Sequence, residues 1–136
     1  MTDEIILEAE DVWYSYEDDG SFALRGLDVR IKKGSRVAFV GANGSGKSTF
    51  FLCCNGILRP QKGTIRFHGK PLRYTKKELL SLRAKVGIVF QDPDNQLFSA
   101  SVRQEISFGI LNLGAGETEA AEAVDRVMEE MEITPF

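Results

Sequence analysis

One stretch constrains this chain more than any other: Gly41-Ala42-Asn43-Gly44-Ser45-Gly46-Lys47-Ser48-Thr49, which satisfies the pattern G-x-x-x-x-G-K-[ST]. It follows the apolar run Val37-Ala38-Phe39-Val40 and precedes the apolar run Phe50-Phe51-Leu52-Cys53-Cys54. Small residues such as Gly44, Ser45 and Gly46 let successive backbone N–H groups turn inward around an anion. Lys47 adds a point charge toward terminal phosphates, and the Ser48 hydroxyl is placed for the Mg2+ ion that travels with them. A strand before the loop and a helix after it are the context this chemistry needs. The expected ligand is a nucleoside triphosphate.

The remaining bulk properties narrow the setting. A chain of 136 residues makes one domain or a large part of one, long enough to bury a real core. No apolar run approaches the ~20 residues that cross a bilayer, and the acidic start Met1-Thr2-Asp3-Glu4 is unlike a signal peptide. Cys53 and Cys54 are adjacent, which suits neither a disulfide nor a zinc site; they are expected to be small buried hydrophobes in a reducing cytosol. Net charge is −3, but from Arg59 to Lys85 nine Lys or Arg stand against one acid, Glu78. From Glu105 to Phe136 eight acids stand against one base, Arg126. The basic stretch is expected to be a solvated face; nucleic acid is disfavoured because no RNA-binding motif or recognition helix accompanies the charge.

Apolar periodicity places strands over Ile5 to Tyr16, around Leu27-Val29-Ile31, over Arg36 to Val40, Thr64 to Phe67 and Val86 to Phe90. The last reads as a strand buried on both faces. Helices are expected over Ser48 to Asn55, Lys76 to Arg83, 102–108 and Glu119 to Glu132, the last with Thr118 as its cap. Val12, Tyr14 and Tyr16 share one strand face. Gln91 to Asn95 reads as a loop broken by Pro93, and the single histidine, His68, sits in a turn and reads as solvated. The fold class that follows is α/β with a mixed sheet.

A phosphate loop alone names a ligand and no reaction. Its partner in many enzymes is an acid at the end of an apolar strand, yet nowhere after the loop do four apolar residues precede Asp or Glu. The buried-type strand ends instead in Gln91, within Val89-Phe90-Gln91-Asp92-Pro93-Asp94-Asn95-Gln96-Leu97-Phe98.

With Asn43 and Gly44 in the loop, that run and Val102-Arg103-Gln104-Glu105-Ile106-Ser107-Phe108-Gly109, the chain resembles the ATP-binding cassette family. Within it the cobalt-type and energy-coupling-factor branch is the most similar. The resemblance implies a P-loop NTPase-like core over residues 1–98 and the beginning of a helical subdomain over 99–136. It also implies that Gln91 reaches Mg2+ and the attacking water, a role suited to a carboxamide that donates and accepts hydrogen bonds without charge. Gly44, Ser45, Gly46, Lys47, Ser48 and Thr49 would hold the phosphates of ATP, Ser48 and Gln91 would approach the metal, and Asn43 would lie near the terminal phosphate. An aromatic near the start would stack on adenine; Tyr16 stands in that place, with Tyr14 and Trp13 as rivals.

The implied partners are an integral membrane transporter subunit and a second cassette, the same or different, at the cytoplasmic face of the membrane. The family's Leu-Ser-Gly-Gly-Gln signature, its catalytic Glu and its switch His do not occur in these 136 residues. The resemblance places them after Phe136, so the chain is expected to be an N-terminal portion that does not turn over ATP well alone and whose apolar strand edges invite pairing. The expected function is therefore the ATP-binding part of a metal or vitamin importer. The alternatives are a non-catalytic nucleotide-binding module and a different phosphate-loop enzyme, such as a kinase, which the Gln91 run opposes.

Overall fold

Strand β1 (Ile5–Tyr14) forms the spine of the first part of the chain, flanked by β2 (Leu24–Lys32) and β3 (Lys62–Phe67). With the two-residue β4 (Lys70–Pro71) they make a four-stranded sheet in the order β2-β1-β3-β4, antiparallel throughout. The computed structural model describes residues 4–92 and 94–135, apart from the side chain of Asn95. Helix α1 (Lys47–Cys54) follows the phosphate loop, and α2 (Lys76–Arg83) follows the sheet. A 3-10 turn at Asp94–Gln96, α3 (Val102–Asn112) and α4 (Glu117–Glu130) complete the order. The contacts divide the chain into two units between Ile88 and Val89.

A bulge decides which face of β1 is buried. Side chains alternate along a strand, so Ala9 and Val12, three apart, would ordinarily point to opposite faces. Asp11 takes φ 45°, and the register shifts against both neighbouring strands at this point. Ala9 and Val12 consequently both enter the core, at 3% and 0% exposure. The bulge is held by Asp28, whose Oδ1 accepts from the Asp11 N–H at 2.9 Å, while Asp11 Oδ1 accepts from Trp13 Nε1 at 2.7 Å. Opposite it stands Gly63 at φ 82°, where a Cβ would lie 2.1 Å from the Asp11 carbonyl oxygen.

The core lies between this sheet and α1. Phe50, Cys53 and Cys54 of the helix meet Ala9, Val12, Leu24 and Ile65, with Phe39 packed at the edge. Both cysteines are buried and free, as their adjacency implied, and burial pushes their thiols from an ordinary 9.0 up to about 11 for Cys53 and about 12 for Cys54. Arg83 fastens the far end of α1: its guanidinium donates to the carbonyls of Asn55 at 3.4 Å and Gly56 at 3.2 Å. These are carbonyls that a helix terminus leaves without intrahelical donors, so a cation there is favourable. Thr75 caps α2: its Oγ1 accepts from the Glu78 N–H at 3.4 Å and donates to Glu78 Oε2 at 2.9 Å.

Two expected strands differ from expectation. Residues 35–40 and 86–90 form no strand and have no ladder partner among the described residues. Val40 is 96% and Val89 97% exposed, so Arg36 to Val40 is not a paired strand, and Val86 to Phe90 is not the strand buried on both faces that its apolar composition indicated. Such a strand needs a parallel neighbour on each side, reached only by a long crossover, and the antiparallel hairpins described here supply none.

In the second unit α3 packs on α4 through Ala120, Val124 and Met128, each 2% exposed and spaced four apart. Val127 and Met131, the other large apolar residues of this segment, are exposed. Thr118 lies inside α4, whose cap is Gly116 without a side-chain bond; the helix begins at Glu117, two residues earlier than the cap reading allowed. Ser101 caps α3, accepting from the Gln104 N–H at 3.3 Å.

Two predictions follow from this packing. Gly63→Ala should lower the unfolding free energy in urea by more than about 2 kcal/mol, since the left-handed backbone alone costs roughly 1–2 kcal/mol and the chain must also withdraw from Asp11. Gly20→Ala, at φ 81° with nothing within 4 Å of its Cβ, should lose no more than the backbone cost. In the alkaline range, the raised thiols keep their protons in the folded state when the unfolded chain has lost them, so stability should fall as pH rises from 9 toward 11. Replacing both cysteines by alanine should flatten that slope in denaturation curves taken across the range.

Candidate functional site

The phosphate loop is shaped by two left-handed glycines and closed by its own lysine. Gly44 and Gly46 take φ 81° and 90°, a region that side chains with a Cβ resist. At Gly46 a Cβ would also strike the Ala23 carbonyl oxygen at 2.4 Å, so glycine alone lets the loop pass this close to the start of β2. Lys47 Nζ folds back across the loop, donating to the carbonyls of Gly41 and Ala42 at 2.7 Å each and to Ser45 Oγ at 3.1 Å. Asn43 and Gly44 form the exposed turn at the tip, with the Ser45 N–H donating to the Ala42 carbonyl at 3.2 Å.

Helix α1 begins at this point with Gly46 as its cap, no side chain bonded to its first amides and no acid in its first turn. Its N-terminal N–H groups and the ammonium of Lys47 therefore present positive potential to the same space. Beside them is a cleft of about 200 Å³ lined by Phe39, Gly41, Ser45, Gly46 and Lys47 among others. Ser48, in the first turn, is exposed, whereas Thr49 is buried.

These groups fit a triphosphate and its magnesium. Uncapped amides, a lysine and small residues match an anionic tail. Among the described residues no three His, Cys, Asp or Glu side chains gather as a metal site. Mg2+ bound mainly through phosphate oxygens and water needs only one or two protein oxygens, and the Ser48 hydroxyl is chemically of that kind.

The structure brings Tyr16 to the same helix. Its hydroxyl lies 3.0 Å from Thr49 Oγ1, and its ring meets the ring of Tyr14 edge-on with centroids 5.0 Å apart. Tyr16 is 61% exposed, leaving ring surface open. Its rivals are otherwise engaged. Tyr14 packs against the core, and burial, with Tyr16 and Cys53 nearby, holds its phenol above the ordinary value. Trp13 is fixed by Asp11, by the edge of Phe22 at 5.2 Å and by Lys62 Nζ over its ring at 5.5 Å.

Gln91 belongs to the second unit and is exposed at the start of the loop that leads through Asp94–Gln96 to α3. Pro93 of that run lies outside the described residues. Gln96 Nε2 donates to the Asp92 carbonyl at 3.3 Å. Glu105, in the first turn of α3, closes the end of the loop by accepting from the N–H groups of Phe98 at 3.3 Å and Ser99 at 2.9 Å. Hydrogen bonds from Ser99 hold its carboxyl below the ordinary range.

Sequence reasoning did not find the contacts that set the Tyr16 loop, chiefly Gln61, whose partners lie far away in the chain. The basic run is also more occupied than a purely solvated face. A hollow of about 740 Å³ is lined by Arg59, Lys62, Arg73 and Tyr74. Arg59 lies over the Tyr74 ring, Lys62 over Trp13, and Arg73 beside Glu78. Arg66 pairs with Glu8 and Glu10.

Comparison with known proteins agrees with the loop. The energy-coupling factor transporter ATP-binding protein EcfA of Methanothermobacter thermautotrophicus is 47% identical over 131 residues, which cover 96% of this chain and 42% of that protein. Its counterpart EcfA2 of Clostridium perfringens is 48% identical over 126 residues, 93% of this chain and 44% of that one. Among solved structures, cbiO1 from Clostridium perfringens, part of the ABC transporter complex cbiONQ, superposes with a TM-score of 0.83 at 47% identity. That match covers 96% of this chain and 52% of that one. The chain thus spans about half the length of the relatives it matches. The pattern of the ABC transporter family matches residues 24–136, more than half of the chain, and the chain belongs to that family.

Proposed function

We propose that this chain is the N-terminal, nucleotide-binding part of the ATPase subunit of an ABC-type importer, which couples ATP binding and hydrolysis to transport of cobalt or nickel or, through an energy-coupling factor, of a vitamin. The observation that carries the reading is the phosphate loop, with Lys47 closed over Gly41, Ala42 and Ser45 at the uncapped start of α1. The likeness to cbiO1 and to the energy-coupling-factor proteins supports the choice of importer.

In this reading the amides of Gly44, Ser45 and Gly46 and the first turn of α1 receive the phosphates, with Thr49 behind them. The Lys47 ammonium exchanges its bonds to loop carbonyls for phosphate oxygens, trading neutral acceptors for charged ones, which make stronger hydrogen bonds. Asn43 stands near the terminal phosphate, and Tyr16 stacks on adenine. Ser48 and Gln91 are the oxygens offered to magnesium, which when bound neutralises charge on the phosphates. Gln91 orients the attacking water by donating and accepting at once.

The partners are an integral membrane subunit and a second ATPase subunit, at the cytoplasmic face of the membrane. No helix among the described residues is long and apolar enough to cross it. The full ATPase requires groups that the family carries outside this stretch.

Calorimetric titration with Mg-ATP tests the loop. The parent should bind, Lys47→Ala should bind at least about tenfold more weakly, the worth of a lost hydrogen bond to a charged group, and Tyr16→Ala roughly fivefold more weakly. Equal affinity in the parent and Lys47→Ala would refute the site. Steady-state phosphate release by these 136 residues should stay far below that of an intact paired cassette.

A further inference from the structure

We infer that Gln61 is a positioning residue for Tyr16: its carboxamide stands in for a missing peptide rung and carries the order of β1 up to the base-stacking aromatic. The inference rests on the nucleotide reading of the site. The β1–β3 ladder pairs Trp13 with Lys62, and the Gln61 N–H still reaches the Trp13 carbonyl at 3.0 Å. Continued in the same antiparallel register, the next rung would pair Ser15 with Pro60. Proline has no N–H to give, so the backbone ladder stops here.

Ser15 is only 7% exposed, and its peptide groups still need partners. Gln61 supplies both from its side chain. Its Oε1 accepts from the Ser15 N–H at 2.7 Å, and its Nε2 donates to the Ser15 carbonyl at 3.1 Å. A carboxamide carries the same donor and acceptor as a peptide unit, and here it bridges residues 46 positions apart.

This rung lies directly before Tyr16. The flanking positions are also tied: the Tyr14 carbonyl accepts from the Ala23 N–H at 2.8 Å, and the Tyr16 hydroxyl meets Thr49 at 3.0 Å. Tyr16 is therefore held from both ends, by Gln61 through the backbone at Ser15 and by Thr49 at the tip of its ring. Without the Gln61 amide, two buried peptide groups lose their partners and the backbone beneath Tyr16 must turn toward water. Of these contacts only the Thr49 hydroxyl belongs to the phosphate loop; the Gln61 amide bonds Ser15 and no residue of the loop, so the grip on phosphate does not depend on it.

That separation defines the test. The purified chain is titrated by calorimetry with Mg-ATP and, as a probe lacking the base and sugar, with Mg-tripolyphosphate. Gln61→Ala should weaken Mg-ATP roughly fivefold, a loss of the size of one base–aromatic stack, and change tripolyphosphate by less than about twofold. Gln61→Glu keeps the length and the acceptor for Ser15 N–H but faces the Ser15 carbonyl with an oxygen, so it should follow Gln61→Ala and serves should that variant not fold. In a Tyr16→Ala background, Gln61→Ala should cost Mg-ATP nothing further. Equal losses for both ligands, no loss for either, or a full additional loss in the Tyr16→Ala background would overturn the inference and leave the nucleotide reading intact. Failure of the parent to bind Mg-ATP would overturn both.

Discussion

The seating of α1 against the sheet governs the rest of the first unit. Phe50 and Cys53 are 2% and 0% exposed between Ala9, Val12 and Ile65, and a short helix of eight residues would not persist in water without that burial. Its two ends are then anchored by different means. At the C-terminal end Arg83 satisfies the carbonyls of Asn55 and Gly56, and Asn55 Nδ2 donates to the Val86 carbonyl. At the N-terminal end no side chain caps the first amides, and no acid stands in the first turn. The helix is thus tied at its C-terminal end and left without a side-chain cap at the end we propose for phosphate. The bulge at Asp11 belongs to the same arrangement, because without the extra residue Val12 would turn away from the helix it packs against.

Much of this was legible in the sequence wherever a residue acts through its own type at a fixed spacing. The phosphate loop is of that kind, as are the bounds of α2 and the burial of Cys53 and Cys54. The ends of β1, α1 and α4 moved by a residue or two, because termini depend on caps, and the cap of α4 is Gly116 rather than Thr118. What the sequence hides is long-range. Asp11 as a bulge needs Gly63 and Asp28 across two strands, and the role of Gln61 needs Ser15. No local pattern marks either, although Pro60 beside Gln61 is a local reason for a ladder to stop. The apolar runs before the phosphate loop and before Gln91 read as strands, the second as a buried one, because composition reports a demand for burial and is silent on which partner meets it.

The charge segregation has a comparable explanation. Nine basic residues between Arg59 and Lys85 look like a surface awaiting a partner, yet several are committed within the unit. Arg83 caps α1, Arg66 lies between Glu8 and Glu10 on the exposed face of the sheet, and Arg59 and Lys62 cover aromatic rings. Exposed ion pairs of the Arg66 kind contribute little, on the order of 1 kcal/mol or less. Arg83 differs, because its partners are the carbonyls of two buried residues, Asn55 and Gly56, at the end of α1. The basic run is therefore partly scaffolding, and its density alone is a poor guide to binding.

The base of the phosphate loop shows how far one side chain can substitute for a ladder. Residues 35–40 make no strand pairing among the described residues, and Val37 and Val40 face outward. Phe39 alone turns in, meeting Phe50 with ring centroids 5.2 Å apart and Phe51 at 5.5 Å. The approach to Gly41 is thus fixed by the contacts of one aromatic ring with two on α1, while the loop's exit is fixed by α1 itself. Entry and exit answer to the same helix, so the spacing between Gly41 and Lys47 is preserved even where hydrogen-bonded neighbours are lacking. That is sufficient to hold Lys47 across the loop, and it makes the loop geometry a property of the helix and its aromatic contacts more than of the sheet.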